Sequence, residues 1–133
     1  MNREILFKAK RLVNGKWVEG LPGYDIDGNI TELEAYNSFC NCQIHVIDPE
    51  TLCQYTGLTD KNGKKIWEND IVRRTDLYVV SEPPVGFIEY DLENTSFLIH
   101  WTDKVEYSPT YHWKDRLEVI GNIFDNPDLL EVE

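Results

Sequence analysis

The chain has 133 residues, with 24 acidic against 13 basic side chains and a formal net charge of -11. The length is that of one ordinary domain, and four Trp, seven Tyr and five Phe residues supply apolar surface for a core, which excludes a disordered chain. The acidity makes sequence-independent binding of nucleic acid unfavourable, because such binding neutralises phosphates with Lys and Arg. We therefore expect a folded, acidic, soluble domain.

The charge is unevenly distributed along the chain. Residues 1–20 and 61–74 each sum to +3, whereas residues 75–133 sum to -10. Such basic residues could contact a phosphate, but mixed charges of this kind more often form the solvated edge of a hairpin. The basic side chains of the second segment are Lys61, Lys64, Lys65, Arg73 and Arg74.

The apolar runs and the cysteines predict the cellular localisation of the protein. A three-residue apolar run ending before Lys8 is too short for a secretory segment, and no uninterrupted run approaches the length of a membrane span. Three cysteines, an odd number, fit reduced thiols better than a disulfide framework. We expect a cytoplasmic protein without a membrane partner.

The first fifty residues predict a β layer with a variable excursion. Residues 3–19 predict a hairpin around Asn14-Gly15, and residues 20–23, Gly-Leu-Pro-Gly, predict a turn or short linker. Asp27-Gly28 suggests a second small hairpin. From Thr31 onward the pattern fits either a short strand or a helical turn, so the fold of this excursion stays open.

Three thiols and an imidazole lie close together in the sequence. These residue types are Zn²⁺ ligands, but a single residue separates the first two thiols, whereas structural zinc sites use wider pairs. Thiols more often act as small buried apolar groups. The sequence therefore predicts neither a metal nor a cofactor, and the candidate ligands are Cys40, Cys42, His45 and Cys53.

The stretch 54–72 holds the densest set of position-specific residues. Two apolar runs flank Asn62-Gly63, a dipeptide that signals a tight hairpin, and the second run closes on the β-branched pair Ile71-Val72. A turn at 68–70 places Asn69 where left-handed backbone is expected, a conformation that Asn tolerates.

The remaining residues predict further strands and a short helical end. Together with the central hairpin they predict a mostly β fold, in which residues 54–124 form a small curled sheet or SH3-like barrel and residues 1–50 add an N-terminal β layer to a single domain. The predicted segments are a hairpin of 85–92 with 96–101, a strand over 105–113 interrupted at Pro109, a strand over 117–124, and a helical turn beginning at Asn126-Pro127.

Catalytic chemistry is not indicated. The candidate bases are His45, His100 and His112, and none accompanies a recognisable nucleophile motif. A Gly-rich phosphate loop and an H-E-x-x-H motif are also missing from the sequence. We predict that the protein is not an enzyme.

Three segments resemble the YopX family, small proteins encoded mostly by bacteriophages and prophages of Gram-positive bacteria. Residues 3–9 resemble the family's N-terminal strand, 54–72 its signature and 118–130 its ending. The chain departs from the family pattern at Asn69 and Cys53, where Gly is common. The resemblance implies a β-rich fold, a phage setting in a bacterial cytoplasm and a tendency to self-associate, and it implies no catalytic residue.

Two functions are consistent with these features. The first is a non-enzymatic phage accessory protein that forms a homo-oligomer and binds a host or phage protein. The alternative is a nucleic-acid-linked regulator, or an acidic mimic of DNA that occupies a host DNA-binding protein. The candidate binding residues are Lys61, Lys64, Lys65 and Trp67.

Overall fold

A computed structural model describes four segments of the chain in two compact units. The units are Met1–Tyr55 and Thr56–Glu133, here called unit 1 and unit 2. The described segments are residues 4–36, 41–75, 83–102 and 107–131, without the side chains of Tyr36, Tyr107 and His112.

Unit 1 is an antiparallel sheet in the order β4-β3-β2-β1-β5. A single 3-10 turn, Pro49–Thr51, precedes β5, and Asp48 caps it by accepting a hydrogen bond from the Glu50 amide at 3.1 Å. The strands are β1 Phe7–Lys10, β2 Trp17–Tyr24, β3 Ile30–Tyr36, β4 Cys42–Val46 and β5 Cys53–Thr59, the last of which crosses the boundary between the units.

The predicted turn at residues 20–23 is wrong, because these residues lie inside β2. Glycine allows the strand to continue there: a Cβ on Gly20 would lie 2.5 Å from the carbonyl oxygen of Glu34 on β3. The turn between β2 and β3 is the hairpin predicted at Asp27-Gly28, where one carboxylate oxygen of Asp25 accepts the amides of Asp27 and Asn29, each at 2.9 Å. The excursion from Thr31 is therefore a strand, β3.

The sheet of unit 1 encloses a small core. An isolated bridge joins Arg11 to Ile47, so the residues that follow β1 lie beside those that follow β4. The amide of Lys10 also donates to the Thr51 hydroxyl at 2.8 Å, which fixes the 3-10 turn against β1. The buried side chains of this core are Ala9, Leu33 and Ile47, with Phe7, Val18, Ile30 and Leu52 packed against them.

Unit 2 is a five-stranded antiparallel sheet in the order β10-β9-β8-β7-β11, preceded by the end of β5 and by β6. The predicted hairpin of 85–92 with 96–101 is confirmed as β8 and β9. The strands are β6 Lys65–Trp67, β7 Asp70–Arg74, β8 Val85–Asp91, β9 Ser96–Trp101, β10 Tyr107–Pro109 and β11 Leu117–Asn122.

The segment after β10 differs from the prediction. Pro109 ends the strand, and the chain turns into a one-turn helix, α1 Thr110–Trp113, followed by a 3-10 turn, Lys114–Arg116. The buried Thr110 hydroxyl anchors this turn by donating to the Phe97 carbonyl at 2.9 Å. The predicted C-terminal helical turn is confirmed as a 3-10 turn, Pro127–Leu130.

The strands of the two units confirm the predicted mostly β fold. The sequence was compatible with either a small curled sheet or an SH3-like barrel. The described residues form two antiparallel sheets that do not close into a barrel. The buried side chains of the core of unit 2 are Ile66, Val72, Ile88, Ile99, Trp101 and Leu117.

Within unit 2, the central stretch is scaffold built on two buried carboxylates. Asp60 accepts the amides of Asn62 and Lys64 within the hairpin turn and the amide of Val119 on β11, at 2.8–2.9 Å. Asp70 accepts the Trp67 amide at 2.8 Å and closes the next turn. These carboxylates hold both turns by bonds to backbone amides.

Asn69 has the left-handed backbone that the sequence predicted, with a φ of 70°. Replacing Asn69 with Gly should leave the free energy of unfolding within about 0.5 kcal/mol of the wild type, whereas Asn69→Val should lower it by about 2 kcal/mol, because a β-branched residue is strained in this conformation. Urea unfolding of the two variants measures the difference. Equal stability of the Gly and Val variants would contradict this account.

Candidate functional site

Two arginines flank one tryptophan in unit 2. The guanidinium carbon of Arg74 lies 4.5 Å from the ring centroid of Trp113, and that of Arg116 lies 4.1 Å from it. Both distances are within the range of cation–π attraction. We call Arg74, Trp113 and Arg116 the arginine–tryptophan cluster.

The sheet register places the cluster. Arg74 ends β7 opposite Leu117, and the Thr75 amide donates to the Arg116 carbonyl at 2.9 Å, so the ends of β7 and of the 3-10 turn are adjacent. Trp113 packs edge-on against the buried Trp101, with centroids 5.6 Å apart and planes at 70°. The cluster is therefore mounted on the core of unit 2.

The predicted basic hairpin is adjacent to the cluster. The Lys61 amide donates to the Leu117 carbonyl at 3.1 Å, one residue after Arg116, and the side chains of Lys61 and Lys64 are exposed. Lys65 is half-buried, and Trp67 has an exposed fraction of only 7%, which leaves little of its ring for a partner.

This corner of unit 2 is basic in an acidic protein. Residues 60–65, 73–74 and 114–118 carry seven basic and three acidic side chains. Arg73 pairs with Glu118 at 2.5 Å and Lys114 with Asp115 at 3.4 Å, so part of the charge is already neutralised. Guanidinium groups donate in a fixed fork that matches carboxylates and phosphates, so the cluster can bind an anionic group.

The outer face of unit 1 has the opposite character. Cross-strand partners share a face, and here Ile44 lies opposite Glu34 and Val46 opposite Glu32. Leu21, on the neighbouring strand, lies opposite Glu34 in turn. We define the outer face as Leu21, Glu32, Glu34, Ile44 and Val46, whose three apolar side chains are all exposed.

The thiols and the imidazole of the first unit do not converge. Cys53 is buried as predicted and donates through its Sγ to the Thr51 carbonyl at 3.3 Å, whereas Cys42 is exposed on the side of β4 that carries Ile44. His45 lies on the opposite side of β4, since it is an odd number of residues away. Cys40 lies outside the described residues, among which no cluster of three or more His, Cys, Asp or Glu side chains could hold a metal ion.

The histidines predicted as candidate bases give no clear active site. His100 packs against Phe87 with centroids 4.9 Å apart and ring planes tilted by 40°, and its Nδ1 lies 3.5 Å from a carboxylate oxygen of Glu89. A shallow cavity of about 750 Å³ beside the β8–β9 turn is lined by Glu89, Asp91 and Glu93 together with Leu98. This cavity is open and acidic, and no described nucleophile motif accompanies it.

The sequence alone did not identify Trp113 and Arg116 as a site. The Trp-Lys-Asp-Arg order at 113–116 was the available signal, but only the register of β7 with β11 brings it to Arg74. The period-2 apolar residues at 42, 44 and 46 were the signal for the outer face.

Comparison with known proteins places the chain in a family. The family described as YopX protein matches residues 6–131, nearly the whole chain. The chain belongs to the YopX family. This result confirms the resemblance seen at residues 54–72 and 118–130, and it assigns no activity.

A solved structure shows the same fold. The chain is similar to the crystal structure of protein EF1440 from Enterococcus faecalis, with a TM-score of 0.63 and 24% identity over 98% of this chain and 100% of that one. A search of the curated proteins found no match. Among the described residues, no helix of this YopX-family chain is long and apolar enough to cross a membrane.

Proposed function

We propose that this YopX-family chain is a non-enzymatic, self-associating module that binds a host or phage protein in the bacterial cytoplasm. The observation that carries the proposal is the outer face of unit 1, where Leu21, Ile44 and Val46 expose 44%, 58% and 52% of their surface. Ile44 and Val46 are neighbours on one side of β4, and Glu34 lies between Ile44 and Leu21. Exposed apolar surface rimmed by polar groups is typical of surfaces that bind proteins.

The neighbouring turn extends this apolar surface. The Leu12 amide donates to the Val46 carbonyl at 3.2 Å, and Leu12 is exposed as well. β4 lies at the edge of the sheet and contains no Lys or Pro, the residues that usually protect an edge strand from association. The alternative of a DNA mimic rests on the net charge and on the acidic cavity beside the β8–β9 turn.

A charged substitution on the outer face tests the proposal. We expect Ile44→Lys/Val46→Lys to shift the protein toward the monomer of 15.6 kDa, because the substitution places two charges where apolar surface is buried on association. Sedimentation velocity over a hundredfold range of concentration, with a reductant present because Cys42 is exposed, measures the shift.

A matched control and a second readout separate folding from binding. Leu129→Lys, at an exposed apolar position of unit 2, should leave the assembly unchanged. Affinity capture from infected cells should recover a partner with the wild type that the Ile44→Lys/Val46→Lys variant loses. A wild type that is monomeric throughout, or a variant that assembles like the wild type, would contradict the proposal.

A further inference from the structure

Self-association of this chain has to overcome the electrostatic repulsion between two acidic copies. Two copies with a formal charge of -11 each repel one another. A symmetric contact of the outer face with itself would bring four carboxylates, Glu32 and Glu34 of each copy, into one interface. A contact between copies is therefore favoured where an acidic surface meets a basic one.

The arginine–tryptophan cluster is such a basic surface. Its two guanidiniums lie over the ring of Trp113, and this contact restricts their side chains before they bind a carboxylate. The exposed Lys61 and Lys64 extend the positive charge along the adjacent hairpin. The half-buried indole adds apolar surface between the charges.

The outer face has the complementary composition. Glu32 and Glu34 alternate along β3 with spacing of two residues, so both carboxylates emerge on one side of the sheet. Each lies beside an exposed apolar residue of β4, Val46 or Ile44. Protein interfaces are enriched in arginine and tryptophan and have an apolar centre. Here the arginines and the tryptophan belong to the cluster, and the aliphatic side chains belong to the outer face.

We infer that the arginine–tryptophan cluster of one copy binds the outer face of unit 1 of a second copy, an interface that rests on the self-association proposed above. Arg74 and Arg116 bind the carboxylates of Glu32 and Glu34, and the exposed part of the Trp113 ring faces the apolar residues of β4. The contact is heterologous, because the two surfaces differ, so each copy offers one of each kind.

A charge-swap experiment tests this interface by sedimentation velocity. Arg74→Glu/Arg116→Glu and Glu32→Lys/Glu34→Lys should each weaken association at least about tenfold, because like charges then face each other. An equal mixture of the two variants should regain association, since the unchanged cluster of the glutamate variant meets the unchanged outer face of the arginine variant, and the two reversed surfaces also complement each other. Raising the salt concentration should weaken wild-type association.

Two controls accompany the swap. Asp128→Lys reverses an exposed charge of the C-terminal 3-10 turn of unit 2 and should leave association unchanged. Circular dichroism checks the folding of each variant. If Arg74→Glu/Arg116→Glu (the arginine variant) fails to fold, Glu32→Lys/Glu34→Lys (the glutamate variant) and the salt dependence of wild-type association still test the interface.

The possible results separate this interface from the proposed function. A wild type that stays monomeric overturns self-association and the interface together. If the wild type associates and both variants associate as strongly as the wild type, the interface is wrong but self-association stands. The same conclusion follows if the mixture of the two variants stays dissociated. A third result would overturn the interface in favour of nucleic-acid binding. In that case the wild type binds a labelled single-stranded oligonucleotide, and Arg74→Glu/Arg116→Glu loses this binding but still associates like the wild type.

Discussion

Replacing Asp60 with alanine is expected to lower the free energy of unfolding by about 3 to 5 kcal/mol, because charge-assisted hydrogen bonds are worth about 1.5 kcal/mol or more each. The Asp60 carboxylate is 5% exposed and accepts three backbone amides, two in its own turn and one from β11. Its loss removes the link between the hairpin and β11 as well as the turn itself.

The amide variant distinguishes the charge from the shape of the side chain. Asp60→Asn keeps one acceptor oxygen, but its NH2 group cannot accept the Val119 amide if the oxygen serves Asn62 and Lys64. We expect it to lose roughly half of the alanine effect. Asp128→Ala, at an exposed position, should change stability by less than about 0.5 kcal/mol.

Urea unfolding of these variants, followed by tryptophan fluorescence, gives the three differences. An Asp60→Ala protein within about 0.5 kcal/mol of the wild type would show that the buried carboxylate does not hold the turn.

Replacing Trp101 with alanine should be similarly severe, at about 3 to 5 kcal/mol, the usual cost of removing a large aromatic side chain from a core. Trp101 is 4% exposed, and its Nε1 donates to the Ser108 hydroxyl at 3.0 Å. Its ring also supports Trp113 edge-on. The substitution therefore leaves a cavity and removes the support of the arginine–tryptophan cluster.

A paired variant separates packing from the hydrogen bond. Ser108→Ala removes the acceptor and leaves the ring in place, so it should lose only about 1 kcal/mol. Thermal unfolding followed by near-ultraviolet circular dichroism measures both. If Trp101→Ala were no more destabilising than Ser108→Ala, packing of this ring would not contribute as described.

Local signals predicted much of the fold. The Asn62-Gly63 turn, the left-handed Asn69 and the β8–β9 hairpin follow from turn chemistry and alternation, and all are observed. The predictions failed where packing overrides local preference. Residues 20–23 continue as strand because glycine permits close approach to β3, and Thr110 begins a helical turn because its buried hydroxyl bonds to β9.

The candidate surfaces were less predictable because they depend on distant residues. The basic residues 61–65 were evident from composition, but Arg74 and Trp113 meet only through the pairing of β7 with β11 and the packing of Trp113 on Trp101. The outer face likewise required the register of three strands, because alternation alone does not show which side of β4 faces the core.

The mass of the wild-type protein in solution tests the central claim, that this YopX-family chain is a self-associating module, most directly. Sedimentation velocity over a hundredfold range of concentration, with a reductant present, should show a species heavier than the 15.6 kDa chain that dissociates on dilution or at high salt. A mass of 15.6 kDa at every concentration and salt would contradict the account.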